Sequence, residues 1–153
     1  MLLKVERLEG VTAEAMDLLE EYYESIGVMV RDEVDGVERI VRDERGGGWI
    51  AYLDGVAVGC GYLRNLESKT KATECKRVYV RPEARGKGVA RALMDALEAY
   101  ARERGFERMY LDSMEHLQAA MQLYEKRGFV RCERYNENPQ ATVFMVKDLR
   151  ETP

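Results

Sequence analysis

Apolar residues recur along the first third of the chain at two spacings, and each spacing predicts one type of element. Apolar and charged residues mix in short alternation over residues 1–8, which predicts a first strand. Apolar residues then recur at helical spacing, which predicts a helix at about 13–26, ending at Gly27, and a second, shorter helix at about 34–41. The three glycines at 46–48 end that second helix.

A hairpin and a third strand are predicted next. The strand-like runs 49–53 and 56–63 flank an Asp-Gly dipeptide at 54–55, which is typical of a two-residue type I′ turn. After a polar loop, residues 74–80 predict another strand. Pro82 ends it, because proline cannot donate a ladder hydrogen bond.

The second half of the chain alternates helices and strands. Its clearest helical stripe predicts a helix over 88–104, followed by a short strand at about 109–111 and a further helix over 117–127. Two final strands are predicted at 129–134 and 142–146. The whole order is a strand, two helices, three strands, a helix, a strand, a helix and two strands.

Such an order predicts an α/β (α+β) fold. Because hairpins and crossovers are mixed, we expect a mixed β-sheet of about seven strands flanked by about four helices, with helices on both faces. No repeat, linker or low-complexity segment interrupts the pattern, so one domain over residues 1–153 is predicted. A chain of this length can bury a substantial core without metals or disulfides.

Composition and charge argue against several classes of protein. The chain is 46% hydrophobic and 34% charged, as in ordinary globular proteins, and its net charge of −4 argues against nucleic-acid binding. No apolar run approaches the roughly 18 residues of a membrane span, and residues 1–8 lack the apolar core of a signal peptide. We therefore expect a cytoplasmic protein that does not enter a membrane.

The three cysteines are widely separated. Cys60, Cys75 and Cys132 form no Cys-x-x-Cys motif and have no clustered histidine partner. We expect buried or half-buried thiols in strands rather than a disulfide or a metal site.

Positive charge is concentrated in one segment of this acidic chain. Residues 76–91 contain six cations and one acid, a net charge of +5. The segment joins the strand 74–80 to the helix 88–104, and Gly86 and Gly88 lie where that helix begins. A helix N-terminus offers unpaired amides and a partial positive charge to phosphate. A phosphate site is therefore predicted, although a tight connection with solvated arginines would show the same pattern.

Two well-known phosphate loops do not fit this segment. A P-loop needs Ser or Thr directly after Gly-Lys, and here Gly88, followed by Val89, stands after Gly86-Lys87. A dinucleotide fingerprint needs a third glycine at the position of Arg91. The segment belongs to neither class.

Several motifs occur in order along residues 72–149. They are Glu74-x-Lys76-Arg77-x-Tyr79-Val80-Arg81-Pro82, Arg85-x-x-Gly88-x-Ala90, Leu123-Tyr124-Glu125-x-x-Gly128-Phe129, Tyr135-Asn136-x-Asn138-Pro139 and Phe144-Met145. The second resembles the Arg/Gln-x-x-Gly-x-Gly/Ala signature of the GCN5-related N-acetyltransferase (GNAT) family. The first and third resemble that family's fourth strand and its later helix-to-strand signature, and the last two resemble one common bacterial branch.

This resemblance implies acetyl-CoA as co-substrate and no metal. In the family, backbone amides of the loop bind the CoA pyrophosphate, and pantetheine lies between two parallel strands that splay apart, here 74–80 and 109–113. The residues thus implied for acetyl-CoA binding are Val78, Tyr79, Val80, Arg85, Gly86, Lys87, Gly88, Val89 and Ala90. Core packing of the Val78 and Val80 side chains is compatible with this role, because the implied contacts use backbone.

The resemblance also implies direct attack of the amine on the thioester, without a covalent enzyme intermediate. Tyr124 lies where the family places its general acid, and Glu74 lies where related enzymes project a carboxylate base. A packed aromatic and a surface glutamate are the alternatives for these two residues. His116 and a water chain are other candidates for the base, and Asp112 and Ser113 are candidates for orienting pantetheine or the acceptor.

The acceptor is expected between the first two helices and the loop at 135–140. Plausible lining residues are Tyr22, Tyr23, Trp49 and Asn136, each of which also has a packing explanation. The acids Glu20, Glu21 and Glu24 could attract a cationic amine or simply form a solvated helix face.

The sequence therefore predicts an N-acetyltransferase that transfers an acetyl group from acetyl-CoA to a primary amine of a small-molecule or amino-acid-like acceptor. The alternatives are an acetyltransferase acting on a protein N-terminus or lysine, and a non-catalytic acyl-CoA-sensing domain. The expected partners are acetyl-CoA and an amine, and a homodimer is left open.

Overall fold

The computed structural model describes residues 1–27 and 31–150. Its helices and strands, in chain order, are β1 Leu3–Arg7, α1 Ala13–Ile26, α2 Val34–Arg42, β2 Gly47–Leu53, β3 Val56–Asn65, β4 Ala72–Val80, α3 Val89–Glu103, β5 Arg108–Ser113, α4 Gln118–Lys126, β6 Val130–Arg131 and β7 Val143–Asp148. A 3₁₀ turn, Pro82–Ala84, precedes α3. The predicted order of elements is confirmed.

Local signals set the ends of α1. The Thr12 side chain accepts a hydrogen bond from the amide of Ala15 at 3.1 Å, which satisfies one of the unpaired first-turn amides. Gly27 closes the helix in the left-handed conformation, with φ 69°. Leu18 and Leu19, on the inner face between these caps, are buried.

The seven strands form one mixed sheet in the order β1-β2-β3-β4-β5-β7-β6. All neighbouring pairs are antiparallel except β4 and β5, which are parallel. The helices cover both faces, as predicted. α3 and α4 pack on one face with Trp49 and Cys75, whereas α1 and α2 pack on the other with Tyr62 and Tyr79.

The predicted strand at 129–134 is wrong in length, because only Val130–Arg131 pair with β7 as a strand. One further bond, from the amide of Cys132 to the carbonyl of Phe144, continues the pairing at 2.8 Å. Beyond it the Arg134 guanidinium bonds to loop carbonyls, among them that of Asn138 at 3.0 Å, and the chain turns inward. Cys132 is accordingly half-buried outside any strand, whereas Cys60 and Cys75 are buried within strands, as predicted.

The parallel pair separates after a short stretch of pairing. β4 and β5 are in register over 72–74 and 108–110, and the last pair is Glu74 with Tyr110. Beyond it, β4 continues to Val80 and β5 to Ser113 without pairing to each other. The splayed strand pair is thus confirmed.

A bulge bends the β4 arm of this opening. On β3, Cys60 pairs with Tyr79 and Tyr62 pairs with Lys76. The single residue between them, Gly61, therefore lies opposite two residues of β4, Arg77 and Val78. Arg77 takes a left-handed conformation, with φ 53°. Bulges of this kind redirect side chains and increase the local twist.

A buried ion cluster ties α3 to the following elements. Glu98 is 1% exposed and accepts hydrogen bonds from Arg127 Nε at 2.6 Å and from Lys147 Nζ at 2.5 Å. It thereby links α3 to the residue after α4 and to β7. No helix of the described residues is long and apolar enough to cross a membrane.

Candidate active site

A cavity of about 1210 Å³ passes through the gap between the splayed strands. On the α3/α4 face it is lined by Tyr124 and by the first residues of α3, and on the α1/α2 face by Tyr22, Tyr23 and Asn136. Because the gap crosses the sheet, one cavity joins two chemically different halves. We refer to the half at the start of α3 as the donor half and to the half beneath α1 as the acceptor half.

The donor half is built on the N-terminus of α3. Gly88 is the N-cap, with φ 81°, and its lack of a side chain leaves the first-turn amides without a side-chain cap. Gly86 is also left-handed, with φ 77°. Both glycines are exposed and both line the cavity. The turn therefore presents free backbone amides and the positive end of the helix dipole, which suits a phosphate group.

Most residues predicted for acetyl-CoA binding lie together along this half. Those that line the cavity are Val78, Tyr79, Val80, Arg85, Gly86, Gly88, Val89 and Ala90. Lys87 is exposed but does not line the cavity. The Arg85 side chain folds back onto β4, where its Nε donates to the carbonyl of Val80 at 3.2 Å.

The open edge of β4 supplies the middle of the cavity wall. Beyond Glu74 this edge has no strand partner toward β5, so its backbone groups face the gap. Val78 and Val80 pack with the core beneath α3, whereas Tyr79 packs on the α1 side and its hydroxyl donates to Glu21 at 3.3 Å. An extended ligand lying in the gap could therefore use the β4 backbone without disturbing the side-chain packing.

Tyr124 lies on α4 at the junction of the two halves. Its side chain is 8% exposed, packs edge-to-face against Phe129 with ring centroids 5.8 Å apart, and lines the cavity. Burial, reinforced by nearby Cys75, Tyr22 and Asp112, raises the pKa of its hydroxyl well above the ordinary 10.0. The hydroxyl is therefore protonated at neutral pH and can donate a proton.

Glu74 lies below the cavity rather than on its wall. Its side chain is 1% exposed and does not line the cavity. The carboxylate accepts hydrogen bonds from Arg64 Nη2 at 2.8 Å, from the Tyr135 hydroxyl at 2.7 Å and from Asn136 Nδ2 at 3.0 Å. These three donors satisfy the buried charge, and the bonds from Tyr135 and Asn136 fix the 135–140 loop over the point where the strands separate.

Asn136 links two carboxylates across the opening. Its amide nitrogen donates to Glu74 on β4 at 3.0 Å and to Asp112 on β5 at 2.6 Å. Asp112 lines the cavity and also accepts from Asn138 at 3.4 Å. His116, the alternative base, is exposed and does not line the cavity.

The acceptor half differs in part from the prediction. Tyr22, Tyr23 and Asn136 line it as predicted, but Trp49 does not. Trp49 belongs to the core on the opposite face, where its ring packs edge-to-face on Tyr100 of α3 at 5.2 Å. The alternation of side chains along β2 decides this, since Ile50, the next residue, faces α1.

The acids of α1 do not line the cavity. Glu21 is held by Arg81 in a two-point ion pair, with Nη2 to Oε2 at 2.9 Å, and Glu20 pairs with Arg31 at 3.0 Å. Glu24 is exposed. Of the two alternatives for these acids, attraction of the acceptor is therefore not supported by their positions.

Basic residues of β3 and β4 line the acceptor half instead. Arg64, Lys76 and Arg77 all do so. Arg64 is paired with Glu74, and Arg77 forms an ion pair with Asp32. The sequence pattern gives Lys76 and Arg77 no role beyond their motif and does not single out Arg64. Strand pairing, which no local pattern reveals, decides that these three cations face the opening.

Comparison with known proteins identifies a family whose members share this sequence pattern. The model of the acetyltransferase (GNAT) family matches residues 12–129 of the chain. The match includes the start of α3, both splayed strands and α4.

Two proteins with similar sequences are named as N-acetyltransferases. Bacillus subtilis YsnE, an uncharacterized N-acetyltransferase, is 32% identical over 97% of this chain and 100% of its own length. Escherichia coli YjgM, another uncharacterized N-acetyltransferase, is 38% identical over 53% of this chain. The chain spans about half (49%) of the length of YjgM.

A solved structure shares the fold. The yncA protein from Salmonella typhimurium, described with its cofactor acetyl-CoA, superimposes with a TM-score of 0.76 at 18% identity, and the match covers 98% of this chain and 95% of yncA. At that identity the likeness concerns the fold.

Proposed function

The chain belongs to the acetyltransferase (GNAT) family, and from this premise we propose that it transfers an acetyl group from acetyl-CoA to the primary amine of a small, amino-acid-like acceptor. One observation carries the proposal. A single cavity runs from the free amides of the α3 N-terminus, along the open edge of β4, past the Tyr124 hydroxyl and into the acceptor half.

The donor half would hold acetyl-CoA. Its pyrophosphate fits the turn Arg85–Ala90, where backbone amides and the helix dipole act together, and its pantetheine fits along Val78, Tyr79 and Val80. The unpaired, strand-like edge of β4 supports this placement. The yncA structure, which has the same fold, is described with acetyl-CoA, and this adds support.

In the proposed reaction the neutral amine attacks the thioester carbonyl, so that the C–N bond forms, the C–S bond breaks and the nitrogen gives up one proton to a base or to water as the amide forms. The CoA thiolate must then receive a proton. Tyr124 is the proposed donor, because its side chain lines the cavity between the two halves and burial keeps its hydroxyl protonated until the thiolate forms.

Glu74 remains the predicted base, but its position constrains how it could act. The carboxylate does not line the cavity and already accepts three hydrogen bonds. A proton could reach it only through an intermediary, so the geometry supports a positioning role at least as well. Its bond to Asn136 orients that amide, which in turn bonds Asp112 on the cavity wall.

A small acceptor is favoured over a protein segment by the walls of the acceptor half. α1, the bulge of β4 and the loop at 136–141 all contribute to it. A peptide would need a groove open at both ends, whereas a small amine needs only a pocket beside the thioester.

The proposal is tested by thiol release from acetyl-CoA across a panel of small amines, including the twenty amino acids. We expect at least one acceptor to give release well above hydrolysis, with the N-acetylated product seen by mass spectrometry. If no amine is acetylated while CoA still raises the melting temperature, the chain is an acyl-CoA-sensing domain.

A further inference from the structure

Two opposite charges lie at equivalent positions on the splayed strands β4 and β5, just beyond their last paired residues. Glu74 and Tyr110 form the last parallel pair, and Lys76 and Asp112 each follow two residues later. Side chains two apart on a strand share a face, so both charges lie on the face of the sheet that carries Glu74. Both residues line the cavity.

The pairing on the other edge of β4 fixes the direction of Lys76. Its partner across the antiparallel β3–β4 ladder is Tyr62, which packs in the core beneath α1. Cross-strand partners lie on the same face of a sheet. Lys76 is therefore directed into the acceptor half, on the face opposite α3.

Lys76 lacks a counter-ion in the described part of the chain. The neighbouring cations are compensated, Arg64 by Glu74 at 2.8 Å and Arg77 by Asp32, but no ion pair of the described residues includes Lys76. Burial, and then Arg77, lowers the pKa of Lys76 to about 8, although the carboxylates of Glu74 and Asp32 act in the opposite direction without forming an ion pair with it. The ammonium group is thus half-buried without a partner, a costly arrangement that an anionic ligand would relieve.

Asp112, like Lys76, forms no ion pair with another described residue. Its carboxylate accepts from the amides of Asn136 at 2.6 Å and Asn138 at 3.4 Å, and no cation of the described residues forms an ion pair with it. Neutral donors orient a carboxylate without cancelling its charge. The other charged residues of the cavity wall are Arg85 and Arg91 in the donor half and the exposed Glu137.

We propose that the acceptor is a zwitterion with the charge pattern of a free amino acid, whose carboxylate binds Lys76 and whose amino group binds Asp112. The inference rests on the proposed function and deepens it. A ligand of this kind bridges the two arms and satisfies both uncompensated charges at once. Asp112 draws the ammonium group toward the end of β5, where it must give up one proton to a base or to solvent before it attacks the thioester, and Lys76 holds the carboxylate at the bulge of β4.

A panel of matched acceptors tests the charge pattern. For each amino acid that is a substrate, the carboxamide and the decarboxylated amine with the same side chain are compared by thiol release. We expect kcat/KM to fall at least 30-fold when the carboxylate is removed, the loss typical of a buried charge pair that loses one partner.

Variants of Lys76 and Asp112 test whether these two residues recognise the carboxylate and the amino group of the acceptor. In Lys76→Met, kcat/KM for the amino acid should fall to the level of its carboxamide, whereas Lys76→Arg should keep most of the preference. Asp112→Asn should lower kcat/KM for all amines. Lys126→Met, which removes an exposed lysine of α4, serves as the matched control and should change neither value.

Equilibrium binding of the same ligands to the CoA-bound protein separates this inference from the proposed function. Lys76-dependent binding of amino acids without turnover would keep the inference and overturn the proposed acetyl transfer. Acetylation of amines regardless of a carboxylate would keep the proposed function and overturn the inference. Failure of every amino acid to bind or react would also overturn the inference.

Discussion

At the scale of single residues, burial of Tyr124 determines the protonation state of the proposed proton donor. The Tyr124 side chain lines the cavity, and the raised pKa of its hydroxyl keeps it protonated through the pH range in which amines become neutral. Because the raised pKa also makes this phenol a weaker acid, we expect it to donate its proton only as negative charge develops on the CoA sulfur.

The first prediction concerns this hydroxyl. Tyr124→Phe should lower kcat by about 100-fold, because general acid catalysis is lost, while the Kd of acetyl-CoA should stay unchanged. Turnover is measured by thiol release and affinity by calorimetry. Tyr100→Phe is the control, since that hydroxyl bonds to the carbonyl of Glu44 and does not line the cavity. Full activity of the Tyr124 variant would remove this residue from the mechanism.

A second prediction separates the two roles of Glu74. Glu74→Gln should lower kcat/KM at least tenfold, because the ion pair with Arg64 is lost and the bonds from Tyr135 and Asn136 weaken. Since Glu74 does not line the cavity, we expect the acid limb of the pH profile of kcat/KM to persist. Disappearance of that limb would instead identify Glu74 as the base.

At the scale of elements, the α3 N-terminus depends on backbone conformation. Gly88 and Gly105 both have positive φ, 81° and 84°, and both have open space where a Cβ would lie. The two positions therefore carry a similar conformational penalty for any side chain, but only Gly88 lines the cavity. This makes Gly105 a matched control for the loop.

A third prediction uses this pair. Gly88→Val and Gly105→Val should each lose about 1–2 kcal/mol of unfolding free energy, because both force a branched residue into the left-handed region. Only Gly88→Val should weaken acetyl-CoA binding, by tenfold or more, because its side chain would occupy the space beside the α3 amides. Denaturation and calorimetry measure the two effects. Equal acetyl-CoA affinity in both variants would contradict the phosphate assignment.

The elements themselves were predictable where local signals set them. Thr12 and Gly27 mark the ends of α1 in the sequence as in the structure. The strand predicted at 129–134 was too long, because its apolar and polar pattern could not reveal that Tyr135 turns inward to Glu74. That contact spans 61 residues, and no local pattern encodes it.

At the scale of the whole molecule, a buried charge joins distant parts of the chain. Glu98 of α3 bonds Arg127 at 2.6 Å and Lys147 at 2.5 Å, 29 and 49 residues away along the chain. The two cations are also largely buried, with side chains 15% and 11% exposed. Removing the carboxylate would leave both without this partner.

A fourth prediction follows for stability. Glu98→Ala should cost about 3–5 kcal/mol of unfolding free energy, since it leaves buried charges uncompensated. Asp95→Ala, which removes a 64% exposed partner of the same Arg127, should cost less than about 1 kcal/mol. Urea denaturation measures both.

The same experiment tests the prediction of one domain over residues 1–153. A single domain of this size should unfold in one cooperative transition, with coincident curves from fluorescence and circular dichroism. Two separated transitions would show that the chain folds as more than one unit.

The sequence by itself determined the order of elements, the family and the glycine turn at 86–88, because caps, periodicity and motif spacing are local properties of the chain. Only the tertiary structure decided which charges meet. It places Trp49 in the core opposite the acceptor half, Glu74 beneath the cavity, and Lys76 and Asp112 across the opening from each other. Strand register and sheet faces set these positions, and register depends on pairing between segments that are far apart in sequence.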